Sequence, residues 1–224
     1  MPHIGAAKFA SLLGGNGVAS RYLQRGAVSA SKDYIAFVKL LYLDIDDISN
    51  TLQSNPQRRH RLSEDGISDE IVSNLGTAGY DASQDTSSGG HVDITVRLGK
   101  HTWIGEAKKD QKFDEGFLQL STRYTPASGN FKHNHGGMLL YCTRGPDLLT
   151  MRAKWLKKLS GMRGFRRLET IDCPESDFAF FSRHVHPVSG KHFIVRHLLI
   201  GLHFRPQDAS ARRSAKSRTR RPRR

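Results

Sequence analysis

The chain has 224 residues, of which 37% are hydrophobic and 25% charged, and its net charge is +14. That is enough for one well-packed domain with extensions, and no apolar run nears the ~18–20 residues needed to cross a bilayer. The start of the chain lacks a basic region followed by an apolar stretch and a cleavage site, which argues against a secretory signal. Two cysteines, Cys142 and Cys173, make no disulfide framework, so a reducing, cytoplasmic setting is expected.

The excess positive charge points to a polyanionic partner such as nucleic acid. Its distribution is uneven. Eight basic residues and no acid lie between Arg212 and Arg224, which leaves +6 for the rest of the chain. The segment 209–224 has no apolar periodicity and reads as a disordered basic tail. Residues 1–30, rich in Gly, Ala and Ser, read as loose with one short helix.

From Tyr34 the pattern sharpens. Tyr34, Val38, Leu41, Ile45, Ile48 and Leu52 step by three and four, one stripe of a helix. Such a stripe usually covers a domain's own core, and it also has the form of a homodimer seam through the 34–52 helix. Residues 1–60 are therefore expected to be an N-terminal helical extension. Ser63 is a candidate N-cap for a second helix whose apolar face carries Ile67, Ile71, Val72 and Leu75, with Gly79 at its end.

A turn-rich connection, with room for a short strand at its start, leads into "HVDITVRL". This run alternates and is β-branched, with Val92, Ile94 and Val96 on one face and Asp93, Thr95 and Arg97 on the other. Gly99-Lys100 is a two-residue hairpin turn and "HTWIGEAK" is the return strand. "FDEGFLQLSTRY" reads as a helix with Phe117, Leu118 and Leu120 as apolar positions. "GGMLLYC" reads as a buried central strand and "LLTMRAKWLKKL" as a basic amphipathic helix. A late hairpin of "DFAFFSRHV" and "FIVRHLLIGLHF" closes the pattern. The expected fold class is α/β, a mixed central sheet with flanking helices.

Two acids interrupt the first hairpin. Residues paired across Gly99-Lys100 sum to 199, so Asp93 falls opposite Glu106 on one face. Facing carboxylates repel, and a divalent cation bound by oxygen ligands, Mg²⁺ or Mn²⁺, compensates them directly. Lys108 lies two residues beyond Glu106 on that same face. There an ammonium can orient or deprotonate water, or neutralise a phosphate.

"HVDI" followed by "WIGEAKK" resembles the PD-(D/E)xK nuclease superfamily. The resemblance runs from Ser63 to about Cys142 and implies a restriction-endonuclease-like αβββαβ core within a domain spanning residues 61–208. It implies Asp93 and Glu106 as metal-binding acids, Lys108 as the catalytic lysine and the Ala107 carbonyl as a further ligand. Glu64 or Glu70, on the helix before the strands, would complete the metal shell, with Glu64 at the usual place. Gln119, on the following helix, would position DNA or the lysine. Tyr124 follows it by five residues, one more than in the Gln-x-x-x-Tyr form. Val92 stands where proline is common in the family.

The function implied is a Mg²⁺- or Mn²⁺-dependent nuclease that hydrolyses phosphodiester bonds in DNA. The alternative is a nucleic-acid- or partner-binding module on the same fold with little or no cleavage. No recognition domain is evident, so sequence specificity would be low or supplied by a protein partner. Asp93→Ala and Lys108→Ala are both expected to abolish cleavage and spare the fold.

Other residues carry weaker signals. His133 with His135, and His184 with His186, have H-x-H spacing that suits zinc, but no further ligands stand at matching spacing, which leaves polar loop histidines as the simpler expectation. His91 lies two residues before Asp93, either touching substrate or capping the strand. The segment "KWLKKLSGMRGFRR" interleaves basic residues with Trp155 and Phe165. It reads either as a DNA-backbone grip or as a solvated helix face with Trp155 in the core.

Overall fold

The computed structural model describes residues 17–84, 86–87, 91–124, 134–205 and 208. The basic tail, His133, and the side chains of His91 and Tyr124 lie outside the described part.

Three helices open the described chain: α1 (Val18–Ala30), α2 (Tyr34–Gln53) and the single turn α3 (Pro56–Arg59). Helix α4 (Glu64–Thr77) follows, capped by the Ser63 side chain, which accepts from the Gly66 N–H at 3.0 Å. Then come β1 (Asp81–Ser83), the short pair β2 (Thr86–Ser87) and β3 (His91–Val92), β4 (Ile94–Leu98) and β5 (His101–Lys109). Helix α5 (Phe113–Gln119) runs on into a π-helical turn over Leu120–Tyr124. Strand β6 (His135–Cys142), helix α6 (Leu148–Ser160) and strands β7 (Arg166–Asp172), β8 (Ala179–Val185) and β9 (His192–Gly201) complete the chain.

Seven strands form one mixed sheet in the order β1-β4-β5-β6-β9-β8-β7, while β2 and β3 pair separately. Strands β5, β6 and β9 are mutually parallel and the remaining neighbours are antiparallel. The chain is therefore α/β with helices on both faces of the sheet. Among the described residues no helix is long and apolar enough to cross a membrane.

One face is covered by α2 and α4. Phe37, Leu41, Ile45, Leu52, Ile67, Ile71 and Leu75 pack there against Ile94, Val96, Trp103, Ala107 and Tyr141. The helical stripe, read first as cover for the domain's own core and second as a homodimer seam, is spent inside the chain: Tyr34, Val38, Leu41, Ile45 and Leu52 are buried, and Ile48 is partly so. The helical N-terminal segment shares one core with the sheet. The opposite face is covered by α5 and α6, through Phe117, Leu120, Met151, Trp155 and Leu159 against Met138, Leu140, Val195 and Leu199.

The short helix expected within residues 1–30 is α1. A clamp holds it: Asp44 of α2 accepts from Arg21 at 2.7 Å, Arg25 at 2.8 Å and the Tyr80 hydroxyl at 2.6 Å. One element differs from expectation. Strand β7 was not foreseen. It is an edge strand exposed along most of its length, so it carries no alternating apolar pattern to read.

The hairpin turn is held by a steric fit. Gly99 has φ +58°, and a Cβ there would lie 2.4 Å from the Ser29 carbonyl oxygen at the end of α1.

Candidate active site

The β4–β5 register is Ile94↔Gly105 through Leu98↔His101, every pair summing to 199. Continued by one step it places Asp93 opposite Glu106. The strand breaks at Asp93, between β3 and β4. That break frees the carboxylate to reach across, where Oδ2 accepts the Ala107 N–H at 2.8 Å. The register and the alternation of β5 put Asp93, Glu106 and Lys108 on the α5 face.

Glu64 arrives from elsewhere. It is the first residue of α4, where the helix dipole favours an acid. Its Oε2 accepts the Lys109 N–H at 2.6 Å, which ties the helix start to the end of β5. The Lys109 ammonium donates to the Leu62 carbonyl and strengthens the same junction.

Four oxygens converge on the Lys108 ammonium. Nζ lies 2.6 Å from Glu106 Oε1, 2.9 Å from the Ala107 carbonyl oxygen, 3.4 Å from Asp93 Oδ2 and 3.5 Å from Glu64 Oε1. These are the residues that the family resemblance implies as metal ligands. Glu70 is not among them, because its carboxylate is engaged by Arg59 Nε at 2.6 Å. Gln119 is half-buried at the end of α5, three residues from Gly116 and so near its face of the helix. No hydrogen bond from Gln119 to the cluster occurs among the described residues.

Burial sets the electrostatics. The Glu106 side chain is only 1% exposed, and its Oε2 has no hydrogen-bond partner. Burial, then the nearby Asp93 carboxylate, pushes its pKa up to about 8 against the pull of Lys108. Burial works against the charged form of Lys108. The hydrogen bond and charge of Glu106, with Asp93 and Glu64 behind it, outweigh that and hold the lysine's pKa above its usual value. In this arrangement Lys108 is a firm cation and not a base for water.

The Lys108 cation also revises one expectation. Removing Asp93 relieves like-charge crowding. Removing Lys108 leaves a buried carboxylate without its partner, so the fold is not spared equally in the two variants.

The donor set of carboxylates and one carbonyl suits a hard divalent ion. Three acids around one ammonium leave net negative charge, and Glu106 Oε2 is an unpaired buried acceptor that a cation would satisfy. As the side chains stand, the ammonium takes the centre. Among the described residues no group of three or more His, Cys, Asp or Glu side chains is arranged to hold a metal ion. A metal therefore requires Lys108 to withdraw from the middle of the cluster.

Three supporting residues were not legible in the sequence. Gly116 of α5 sits directly over the cluster, and a Cβ there would lie 2.8 Å from Lys108 Cγ and 3.1 Å from Glu106 Cγ. Tyr141 of β6 pairs in register with Lys109, and its hydroxyl meets Ser68 Oγ at 2.9 Å. Ser68 is one turn along α4 from Glu64. Burial chiefly raises the Tyr141 pKa, with lesser contributions from Asp93 and Glu64, so its hydroxyl stays neutral.

The histidines are placed otherwise than expected. Both His184 and His186 are buried; His184 lies within β8 and packs against Phe117, Phe165 and Phe193, while His186 stands in the turn that follows and meets Ser189 through Nδ1. His135 hydrogen-bonds its neighbour Asn134. Trp155 is inside the core while Lys154, Lys157 and Lys158 are exposed on the outer face of the helix.

Comparison with protein-family models, with curated proteins and with solved structures finds no match for this chain.

Proposed function

We propose that the chain is a metal-dependent nuclease of the restriction-endonuclease-like, PD-(D/E)xK kind, acting on DNA. The observation that carries this reading is the convergence of Glu64, Asp93, Glu106 and the Ala107 carbonyl on one point, filled by Lys108 Nζ. Support also comes from the element order α4, β1, β4, β5, α5, β6, which follows the αβββαβ pattern.

The three carboxylates and the Ala107 carbonyl would hold Mg²⁺ or Mn²⁺. Such an ion supplies a Lewis acid for the phosphate and an acidified water. The chain's own residues do the rest. Asp93 is positioned through its bond to the Ala107 N–H, and Glu64 through the Lys109 N–H. With an ion held there, Lys108 would supply positive charge to the phosphate oxygens and steer the attacking water. Glu106, whose pKa burial pushes up to about 8, would have to be in its carboxylate form to serve as a ligand.

One observation favours a second reading. The Lys108 ammonium pairs directly with Glu106 at 2.6 Å, as expected of a nucleic-acid-binding module in which an ion pair has replaced the catalytic centre.

A side-by-side digestion decides between them. Plasmid, linear duplex, single-stranded DNA and RNA are incubated with Mg²⁺, Mn²⁺ or EDTA, using wild type, Asp93→Ala and Lys108→Ala. Metal-dependent cleavage by wild type alone supports the nuclease. Cleavage unchanged in both variants overturns it. A rise in Tm with Mn²⁺ that Asp93→Ala abolishes reports the ion site without relying on turnover.

A further inference from the structure

A cleft of ≈ 450 Å³ opens between the exit of β5, the loop after β6 and helix α6. It lies outside the carboxyl ends of two neighbouring parallel strands, where ligands settle in open α/β sheets. Its size falls within the range of small-ligand sites. The floor is apolar and partly aromatic: Phe113, Met151 and Trp155, with the Phe113 and Trp155 rings 5.9 Å apart and edge to face. The rim is cationic: Lys112, Arg144, Lys154 and Lys158.

The cleft walls are set in place. The Asp110 carboxylate accepts from the Thr143 N–H and hydroxyl, both at 2.6 Å, and from the Arg144 N–H at 2.9 Å, which locks the β5 exit to the β6 exit. Lys158 Nζ lies 2.8 Å from Asp114 Oδ2 and joins α6 to α5. Arg144 and Lys112 meet acids only at 3.6 and 3.5 Å, and the described ion pairs include none to Lys154. Their charge is therefore available to an incoming anion.

The cleft adjoins the carboxylate cluster. Gly116 backs onto Lys108 and Glu106, while Phe113, three residues earlier on the same short helix, opens on the cleft. Three residues of helix separate them, a rise of roughly 5 Å along its axis.

Phe113, half-buried and set edge to face over the nearly buried Trp155, gives the cleft one accessible aromatic ring, and with the cationic rim this fits a nucleobase that carries phosphate. The geometry points to a subsite that takes one unstacked nucleotide of the substrate strand, next to the phosphate held at Lys108. A base within a duplex is already stacked on its neighbours and cannot reach the floor. The substrate class is accordingly single-stranded DNA, or DNA with an unpaired nucleotide. This rests on the nuclease reading for its substrate, and its test is independent of cleavage.

The test is fluorescence anisotropy in EDTA, where no metal-dependent cleavage occurs. The probes are a labelled 12-nucleotide strand, the same strand with abasic sites, and its 12-base-pair duplex. The proteins are wild type, Arg144→Glu, Lys154→Glu and Lys100→Glu. Lys100 lies in the hairpin turn at the far end of β5, so its variant reports net charge alone.

Wild type should bind the intact strand about tenfold tighter than the abasic strand or the duplex, since each stacked base contributes on the order of tenfold. The two cleft variants should lose most of that preference, and Lys100→Glu should keep it. Equal affinity for intact and abasic strands overturns the subsite. So does equal loss in all three variants, or saturable binding of free dAMP with no preference for any strand. Absence of cleavage in the digestion assay would sink the nuclease reading and leave this result standing or falling by itself.

Discussion

Gly116 and Lys108 are in such close apposition that a single added methyl group would lie 2.8 Å from the lysine's Cγ. The helix over the cluster is thereby pressed onto the strand that carries it, and the lysine chain is confined to one course toward the carboxylates. Gly116→Ala tests this confinement. Alanine gains up to about 1 kcal/mol of helix propensity, but overpacking a filled contact costs about 1–3 kcal/mol. The expected net loss is about 0–2 kcal/mol in a denaturant titration, with cleavage reduced at least tenfold because Lys108 and Glu106 must both shift. Undiminished cleavage would show that the close fit is incidental.

Lys108 is expected to be a structural cation as well as a functional one. Lys108→Met keeps the length of the side chain and removes the charge that faces Glu106, Asp93 and Glu64. Breaking a buried pair from one side typically costs about 3–5 kcal/mol, and protonation of Glu106 offsets part of it. In EDTA the variant should therefore be less stable than wild type by about 2 kcal/mol or more, and Glu106→Gln in the same background should restore most of the loss. If Lys108→Met unfolds at the same denaturant concentration as wild type, the cluster is not held by the lysine.

The clamp on α1 gives a third expectation. Asp44 is buried and receives Arg21, Arg25 and Tyr80. Asp44→Ala leaves Arg25, itself nearly buried, without a counter-charge, at a cost of about 3–5 kcal/mol. Limited proteolysis should then cut within 18–30 before the sheet unfolds. Resistance of that segment in the variant would mean that apolar contacts alone retain the helix.

What the sequence disclosed, and what it hid, follows from how local each signal is. The hairpin register was legible because a two-residue turn at Gly99-Lys100 leaves one pairing, and alternation then places Asp93, Glu106 and Lys108 on one face. The stripe on α2 was legible as a helix, but its period does not say whether the chain's own sheet or a second copy lies against it. Gly116, Ser68 and Tyr141 could not be read, since each matters only through a neighbour far along the chain. Asp44 lies off the apolar stripe of α2, yet it is buried. Its burial depends on two arginines some twenty residues upstream and a tyrosine some forty downstream.

Acid should destabilise the fold through His184 and His197. His197 is completely buried between Trp155 and Ser182: the indole N–H donates to Nδ1 at 3.1 Å, so Nε2 carries the proton and donates to Ser182 Oγ at 2.8 Å. A second proton would set N–H against N–H. Burial accordingly lowers the His197 pKa to about 3, and lowers that of His184, among aromatic rings, to about 4. Both folded-state values lie below the usual 6.5, so the stability each contributes is present above pH 6.5 and is lost as pH falls from there toward 4. The slope is about 1.4 kcal/mol per pH unit for each group. Denaturation midpoints measured from pH 7.5 to 4.5 should therefore fall steeply below pH 6.5. His135, partly buried and with its pKa likewise lowered to about 4, adds to the fall, and Glu106 opposes it. His197→Gln, which can keep one donor and one acceptor, should start lower at pH 7.5 and fall less steeply than wild type by about 1.4 kcal/mol per pH unit. Equal slopes in His197→Gln and wild type between pH 6.5 and 5 would mean that the His197 ring accepts a proton within the core without cost.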